Sequence, residues 1–153
     1  MFVKIISGGQ TGADRAALDF AIEHDIPHGG WIPKGRLTEE GPLAVRYQLE
    51  EMPGKNYAKR TEKNILESDG TLIISHGKIT GGTALTRRLA EKHSRPWLHI
   101  DLEKVSGKQA AVMIKKWVTT DNVRVMNVAG SRASGDPRIY DAVKSLLRLT
   151  NSK

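Results

Sequence analysis

The chain contains no cysteine, which excludes disulfides, a thiol nucleophile and sulfur-ligated zinc. Histidine offers no replacement metal site. His24 and His28 are four apart, but Pro27 between them prevents a shared helix face, and the other three histidines are isolated. Aromatic residues are scarce, with two Phe, three Tyr and three Trp and no basic stripe interleaved among them; a stacking platform for single-stranded nucleic acid is therefore not expected. No apolar run approaches a membrane span, and the opening residues lack the charged-then-apolar layout of a signal peptide. The expected location is the cytoplasm, with no membrane partner. Repeats and low-complexity tracts are missing too, and 153 residues suit one domain, 1–153, around one core. What the chain has in excess is positive charge. Its formal net charge of +7 favours an anionic partner, whether phosphorylated metabolite, oxyanion or nucleic acid. The basic pairs (Lys59-Arg60, Arg87-Arg88, Lys115-Lys116) are scattered, and each taken singly reads as a solvated helix face.

Short β-rich runs recur at Val3 to Ser7, His28 to Ile32, Thr71 to Ser75, Trp97 to Ile100 and Val123 to Val128. Helical patterns separate them. Ala13, Ala17, Ala21, Leu18 and Ile22 mark one face of a first helix that Pro27 ends, and a second includes Thr61 to Glu67. A third runs from about Thr83 to Lys92 with Leu85 and Leu89 inward; a fourth from near Ser106 carries Ala110, Met113, Ile114, Trp117 and Val118. The last starts with Asp136 as N-cap and Pro137 in the first turn, followed by Ile139, Ala142, Val143, Leu146 and Leu147. Strands alternating with such helices imply right-handed crossovers. The expected class is α/β, a three-layer Rossmann-like sandwich with a mainly parallel central sheet. In such sheets ligands sit beyond the carboxyl ends of the strands, where strand order reverses.

The loops at those ends are informative. The first, Gly8-Gly9-Gln10-Thr11-Gly12, precedes Asp14 and Arg15 and sits where a strand hands over to a helix. Its glycines permit a tight turn and close ligand approach, and free amides at a helix start attract anions. Thr11 and Asp14 also have capping-box spacing, while the Asp14 carboxylate could instead hold a sugar hydroxyl. A dinucleotide fingerprint fails, because Ser7 stands where it needs glycine and Gly30-Trp31 where it needs an acid; NAD is not expected. A Walker motif fails at Arg36-Leu37. The second cluster, Gly81-Gly82-Thr83 with Thr86, follows the third strand and repeats the logic of the first, and Gly130-Ser131-Arg132 follows the fifth. Off the strand ends, Lys34-Gly35-Arg36 sets two cations around a glycine, and helical spacing groups Arg60, Thr61 and Asn64. Each of these segments also reads as plain surface. No nucleophile and base pair is evident, and Glu39-Glu40 in a glycine- and proline-flanked loop reads as solvated.

The segments SGGQTGADRAALDFA, GGWIPKGR, RTEKNILESDGTLI, GGTALT and NVAGSRAS, in this order, resemble the molybdenum carrier family, also described as molybdenum cofactor carrier proteins. The resemblance spans Val3 to about Leu147. That family is similar to a wider Rossmann-like group including the cytokinin-activating phosphoribohydrolases and the DNA-processing protein DprA. The resemblance implies homo-oligomers (dimer or tetramer) and, as cargo, the molybdenum cofactor or molybdate. It would set Gly8 to Gly12 and Gly81 to Thr83 against phosphate or oxyanion, with Lys34, Arg36 and Arg60 for charge and Asn64 and Thr86 for polar edges. The phosphoribohydrolases carry a motif GGxGTxxE whose glutamate assists glycosidic cleavage; aligned on Gly82-Thr83, this chain has Thr86 there, so Glu39 or Glu62 would have to substitute. Three readings follow: a non-catalytic carrier, a nucleotide-processing hydrolase or transferase, and a single-stranded nucleic-acid binder whose best patch is Trp31 with Lys34 and Arg36. The carrier ranks first and nucleic acid last.

Overall fold

The computed structural model describes residues 2–152. Five parallel strands form the central sheet: β1 (Lys4–Ile6), β2 (His28–Gly29), β7 (Gly70–Ser75), β8 (Trp97–Asp101) and β9 (Val125–Gly130). Their spatial order is β2-β1-β9-β7-β8. Five helices alternate with them: α1 (Ala13–Glu23), α2 (Tyr57–Leu66), α3 (Gly81–Lys92), α4 (Gly107–Thr120) and α5 (Ile139–Asn151). Alternate strand residues divide the sheet between two faces. Leu72, Ile74, Met126 and Val128 share a core with α1, α4 and α5, whereas α2 and α3 lie against each other and α3 against β7, β8 and β9. The result is the three-layer Rossmann-like sandwich. The last strand inserts between β1 and β7, so the mouths of β1, β9 and β7 lie side by side, and this is where strand order reverses.

Local sequence explains most element ends. Four fully buried alanines (Ala13, Ala16, Ala17, Ala21) let α1 lie close to the sheet and α5. Asn56 caps α2 by accepting from the Lys59 amide at 3.0 Å, and Ser106 and Gln109 form a reciprocal capping box on α4. Trp117 and Ile114 of α4 are buried as the pattern requires, but Met113 is exposed. On α3 the innermost side chains are Thr86 and Ala90, with Leu85 and Leu89 only half-buried.

Several element ends differ from the sequence expectation by a residue or two, and three of the differences have a visible cause. The run from His28 to Ile32 is two strands, not one. Gly30, at φ +129, turns the chain out of the sheet, and β3 (Trp31–Ile32) pairs instead with β6 (Glu50–Glu51). The last central strand begins two residues late, because Val123 still closes the end of α4 through its amide to Val118 O. Asp136 does not cap α5 directly: it holds the Arg138 amide at 3.1 Å and His76 Nδ1 at 2.6 Å, and its carbonyl receives the Ile139 amide. A tight turn therefore precedes the helix.

The segment between β3 and α2, which also holds the antiparallel pair β4 (Leu37–Thr38) and β5 (Gly41–Pro42), is rich in glycine and proline yet firmly tied. Leu43, Tyr47 and Leu49 pack with Ile32 and Leu18 of α1 as a second small core.

Candidate functional site

A cleft of about 370 Å³ opens at the mouths of β1, β9 and β7. Its walls are the β1–α1 turn (Gly8, Asp14), the start of α2 (Tyr57, Arg60, Thr61, Asn64), the β7–α3 turn (Lys78 and Thr80 to Thr83, with Thr86), and β9 with the loop beyond it (Asn127 to Arg132). Twelve of the residues singled out in the sequence line it: Gly8, Asp14, Arg60, Thr61, Asn64, Gly81, Gly82, Thr83, Thr86, Gly130, Ser131 and Arg132. The remaining eight do not, and in most of them a structural duty is visible.

The two glycine loops, alike in sequence, differ in what they expose. At the first, the chain occupies its own turn. The Ala13 amide at the start of α1 donates to Ser131 O at 3.1 Å, and a Cβ on Gly12 would lie 2.3 Å from that same oxygen. Gly9 abuts Leu43 and Leu49 of the small core. The Gln10 side-chain oxygen accepts from the amides of Thr11 (3.0 Å) and Glu39 (2.9 Å). Thr11 does not cap α1; its hydroxyl bonds the Glu39 carboxylate and accepts from the Ala133 amide. Arg15 reaches back to Gly9 O and lies over the Tyr47 ring. At the second loop, by contrast, a Gly81 side chain would meet nothing within 4 Å among the described residues beyond its own turn. The N-terminus of α3 is the open one, and its dipole favours an anion there.

Arg60 supplies the charge. Its side chain is only 4% exposed, its guanidinium lies 4.1 Å from the Tyr57 ring centroid, and Nη1 is 3.6 Å from Asp14 Oδ2. The guanidinium occupies the space above Gly8, where a Cβ would fall 1.2 Å from Nη1. A glycine expected to admit a ligand thus admits an arginine. Among the described residues Nε has no hydrogen-bond partner, and like Nε of Arg15 and Arg87 it is sealed from solvent. An acceptor in the cleft would meet the terminal nitrogens instead, of which Nη1 stops short of a hydrogen bond with Asp14. Arg132 lies over the same tyrosine at 5.3 Å, and Lys78 adds an exposed ammonium at the rim. Against these cations stands one carboxyl. Burial pushes Asp14 above the ordinary carboxylate range, a rise that Arg60, the Gln10 amide, Arg132 and Arg15 oppose without cancelling.

Other expected residues have settled partners. Arg36 directs its guanidinium at four carbonyls, of Leu43 (3.1 Å), Leu49 (3.2 Å), Ala44 (2.8 Å) and Tyr47 (2.6 Å), and so staples the segment after β3. Lys34 and Gly35 are exposed and outside the cleft, tied by their amides to Gly54 O and the Glu51 carboxylate. Of the three residues read as the best nucleic-acid patch, Trp31 bonds Glu67 through Nε1 and carries Lys63 over its ring, Arg36 is turned to the carbonyls just named, and Lys34 is exposed. Asn64 lines the cleft, but its amide bonds both the N–H and the carbonyl of Trp31, at 2.8 and 3.1 Å. The Thr86 hydroxyl donates to Gly82 O at 2.9 Å. Neither Glu39 nor Glu62 lines the cleft: Glu39 binds Thr11 and Ser134, and Glu62 binds His93 at 2.8 Å.

Tyr57, Lys78 and Asn127 line the cleft without having been singled out. Asn127 carried a signal, a polar residue inside the apolar run VMNVA, and its amide bonds Thr71 on the neighbouring strand at 3.2 Å. Tyr57 stands three residues before Arg60 on the same helix, the spacing of side-chain neighbours.

Comparison with known proteins agrees with this architecture. The model of the circularly permutated YpsA SLOG family matches residues 5–150. The chain is similar to a crystal structure from Syntrophus aciditrophicus SB described as a "Putative molybdenum carrier protein", at 58% identity and a TM-score of 0.98, covering 99% of this chain and 96% of that one. No curated protein matches.

Proposed function

The chain belongs to the circularly permutated YpsA SLOG family, and from that membership and the chemistry of its cleft we propose that it is a binding and carrier protein for the molybdenum cofactor or molybdate. The observation that carries the reading is Arg60, a cleft-lining guanidinium that is 4% exposed and stops 3.6 Å short of the nearest carboxylate, in a cleft that the open start of α3 also lines. A phosphate or molybdenum oxyanion would satisfy both at once, through charge-assisted hydrogen bonds and the helix dipole. Arg132 and Lys78 would balance further negative charge. A volume of about 370 Å³ lies in the range of small-ligand sites, room for a phosphorylated heterocycle and more than a bare oxyanion fills. The similarity to a structure described as a molybdenum carrier supports the choice of cargo. Homo-oligomerisation, as dimer or tetramer, and a cytoplasmic location belong to the same proposal and are checked by light scattering and cell fractionation.

The test is calorimetric titration with molybdate. Saturable binding is expected in the wild type, weakened at least tenfold in Arg60→Ala, about the loss of one charged hydrogen bond, and unchanged in Lys34→Ala. Equal affinity in all three proteins would refute the assigned site.

A second reading, a nucleotide-processing hydrolase or transferase, draws support from Asp14, the carboxyl group of the cleft lining. Incubation with nucleoside monophosphates and chromatography for free base tests it. Turnover above background would replace the carrier reading.

A further inference from the structure

Asp14 and Arg60 are each other's nearest opposite charges in the cleft, yet at 3.6 Å they stop short of a hydrogen bond. Oδ2 accepts one amide, from Gln10 at 3.2 Å. The charged groups that face the carboxyl come from three elements: Arg60 on α2, Arg132 in the loop after β9, and Arg15 on its own helix. All are cations. The carboxylate is therefore held in a buried place by positive charge, chiefly by the guanidinium that the anion would also use.

Resting on the site assigned above, we propose that the cleft binds its anion together with a proton, taken up on Asp14. An oxyanion seated on the Arg60 guanidinium brings a second negative charge to within a few ångströms of a carboxylate. The oxyanion then competes with Asp14 for its strongest counterion and leaves it the weaker pull of Arg132 and Arg15, so the balance in this buried place shifts toward the protonated carboxyl. One O–H bond forms on Asp14, the proton coming from solvent, and no other bond changes. The carboxyl then donates toward the oxyanion instead of repelling it. Asp14 thus becomes a specificity residue. It favours ligands with a free acceptor oxygen beside Arg60, and it disfavours anion binding at higher pH, where the proton is costly to supply. The burial that raises its pKa in the free protein also favours the neutral acid, and it narrows the difference between free and bound states that sets the uptake.

The sign of the linkage is fixed. Bound protein holds more protons than free protein, so affinity falls as pH rises, by up to tenfold per pH unit between the free and bound pKa values of Asp14. The experiment is calorimetric titration with molybdate, which is already fully deprotonated at neutral pH, in pairs of buffers that differ in ionisation enthalpy. It is run near neutrality and one pH unit above. Wild-type protein is expected to take up a measurable fraction of a proton per molybdate, and Asp14→Asn none, with an affinity that no longer depends on pH. Wild-type binding with no proton uptake at either pH overturns the inference while leaving the anion site standing. Equal uptake in Asp14→Asn overturns it as well, by assigning the proton elsewhere. No molybdate binding at all overturns the underlying site. Should Asp14→Asn fail to fold, infrared difference spectra of the wild type decide: a protonated-carboxyl C=O band appears on adding molybdate, and its absence refutes the proposal.

Discussion

Gly8→Ala tests how the site is assembled, because it adds one methyl group and no charge. The backbone there does not lie in the left-handed region, so alanine meets no conformational penalty of its own. The new Cβ would fall 1.2 Å from Arg60 Nη1 and 2.4 Å from Cζ, so the guanidinium must leave. Its departure removes the nearest counterion of Asp14 and the contact over Tyr57. Breaking a buried ion pair costs about 3–5 kcal/mol when the orphan stays charged. Asp14 escapes most of that by protonating, since its pKa is already raised, and the lost cation–π contact sets the remainder at about 1–2 kcal/mol. In a domain of this size that lowers Tm by about 2–8 °C. Molybdate affinity suffers more, by about tenfold to a hundredfold, for want of the charged hydrogen bond. Differential scanning calorimetry and titration calorimetry read the two numbers. Gly9→Ala is the control: its Cβ would strike Leu49 at 2.9 Å in the small core, so it destabilises without displacing Arg60. A Gly8→Ala protein that binds molybdate as the wild type does would refute the reasoning, because Arg60 could not then be the anion's partner.

Arg36→Ala removes four bonds to carbonyls of the segment after β3 and is expected to cost about 2–4 kcal/mol in urea denaturation, with molybdate affinity unchanged within twofold. Gly12→Ala sets a Cβ 2.3 Å from Ser131 O at φ +78, and strain and overlap together should remove about 3 kcal/mol or more, read by the same assay. For Asp19, burial favours the neutral acid, but hydrogen bonds from Tyr140, Tyr47 and Arg46 prevail and depress its pKa. Its stabilising effect is therefore present above the ordinary carboxylate pKa and lost as pH falls through the depressed one. Asp19→Asn should be less stable than the wild type at neutral pH, with the gap closing in acid, as followed by thermal denaturation across pH.

Alternating strands and helices were legible because their periods differ, and each of the five central strands overlaps one of the five apolar runs. What periodicity does not carry is the path between elements. Within the run from His28 to Ile32 nothing in residue type marks the exit from the sheet except Gly30. Its position is decided by the Ser7 backbone, 2.1 Å from where a Cβ would sit. Asp136 reads as a helix cap by type and by its following proline. Its displacement comes from His76, sixty residues away. Errors of this kind arise wherever a long-range partner competes for a group that local rules assign.

The cleft residues show the same limit with more consequence. Two glycine loops look equivalent in sequence, yet a carbonyl from the loop after β9 closes one, and the other stays open. Likewise Arg36 and Arg60 are both arginines singled out for charge, one in the segment after β3 and one on α2. One finds four carbonyls within reach; the other finds an aromatic ring, a distant carboxylate and an unfilled Nε. A guanidinium has five donors, and the number left over after folding separates a staple from a ligand site. That remainder depends on which backbone oxygens the tertiary fold brings near, a quantity no residue encodes alone. The glycine at position 8 matters because it leaves room for Arg60 to stay buried at the cleft, so the anion affinity proposed for the cleft and the missing side chain of Gly8 are two readings of one packing decision.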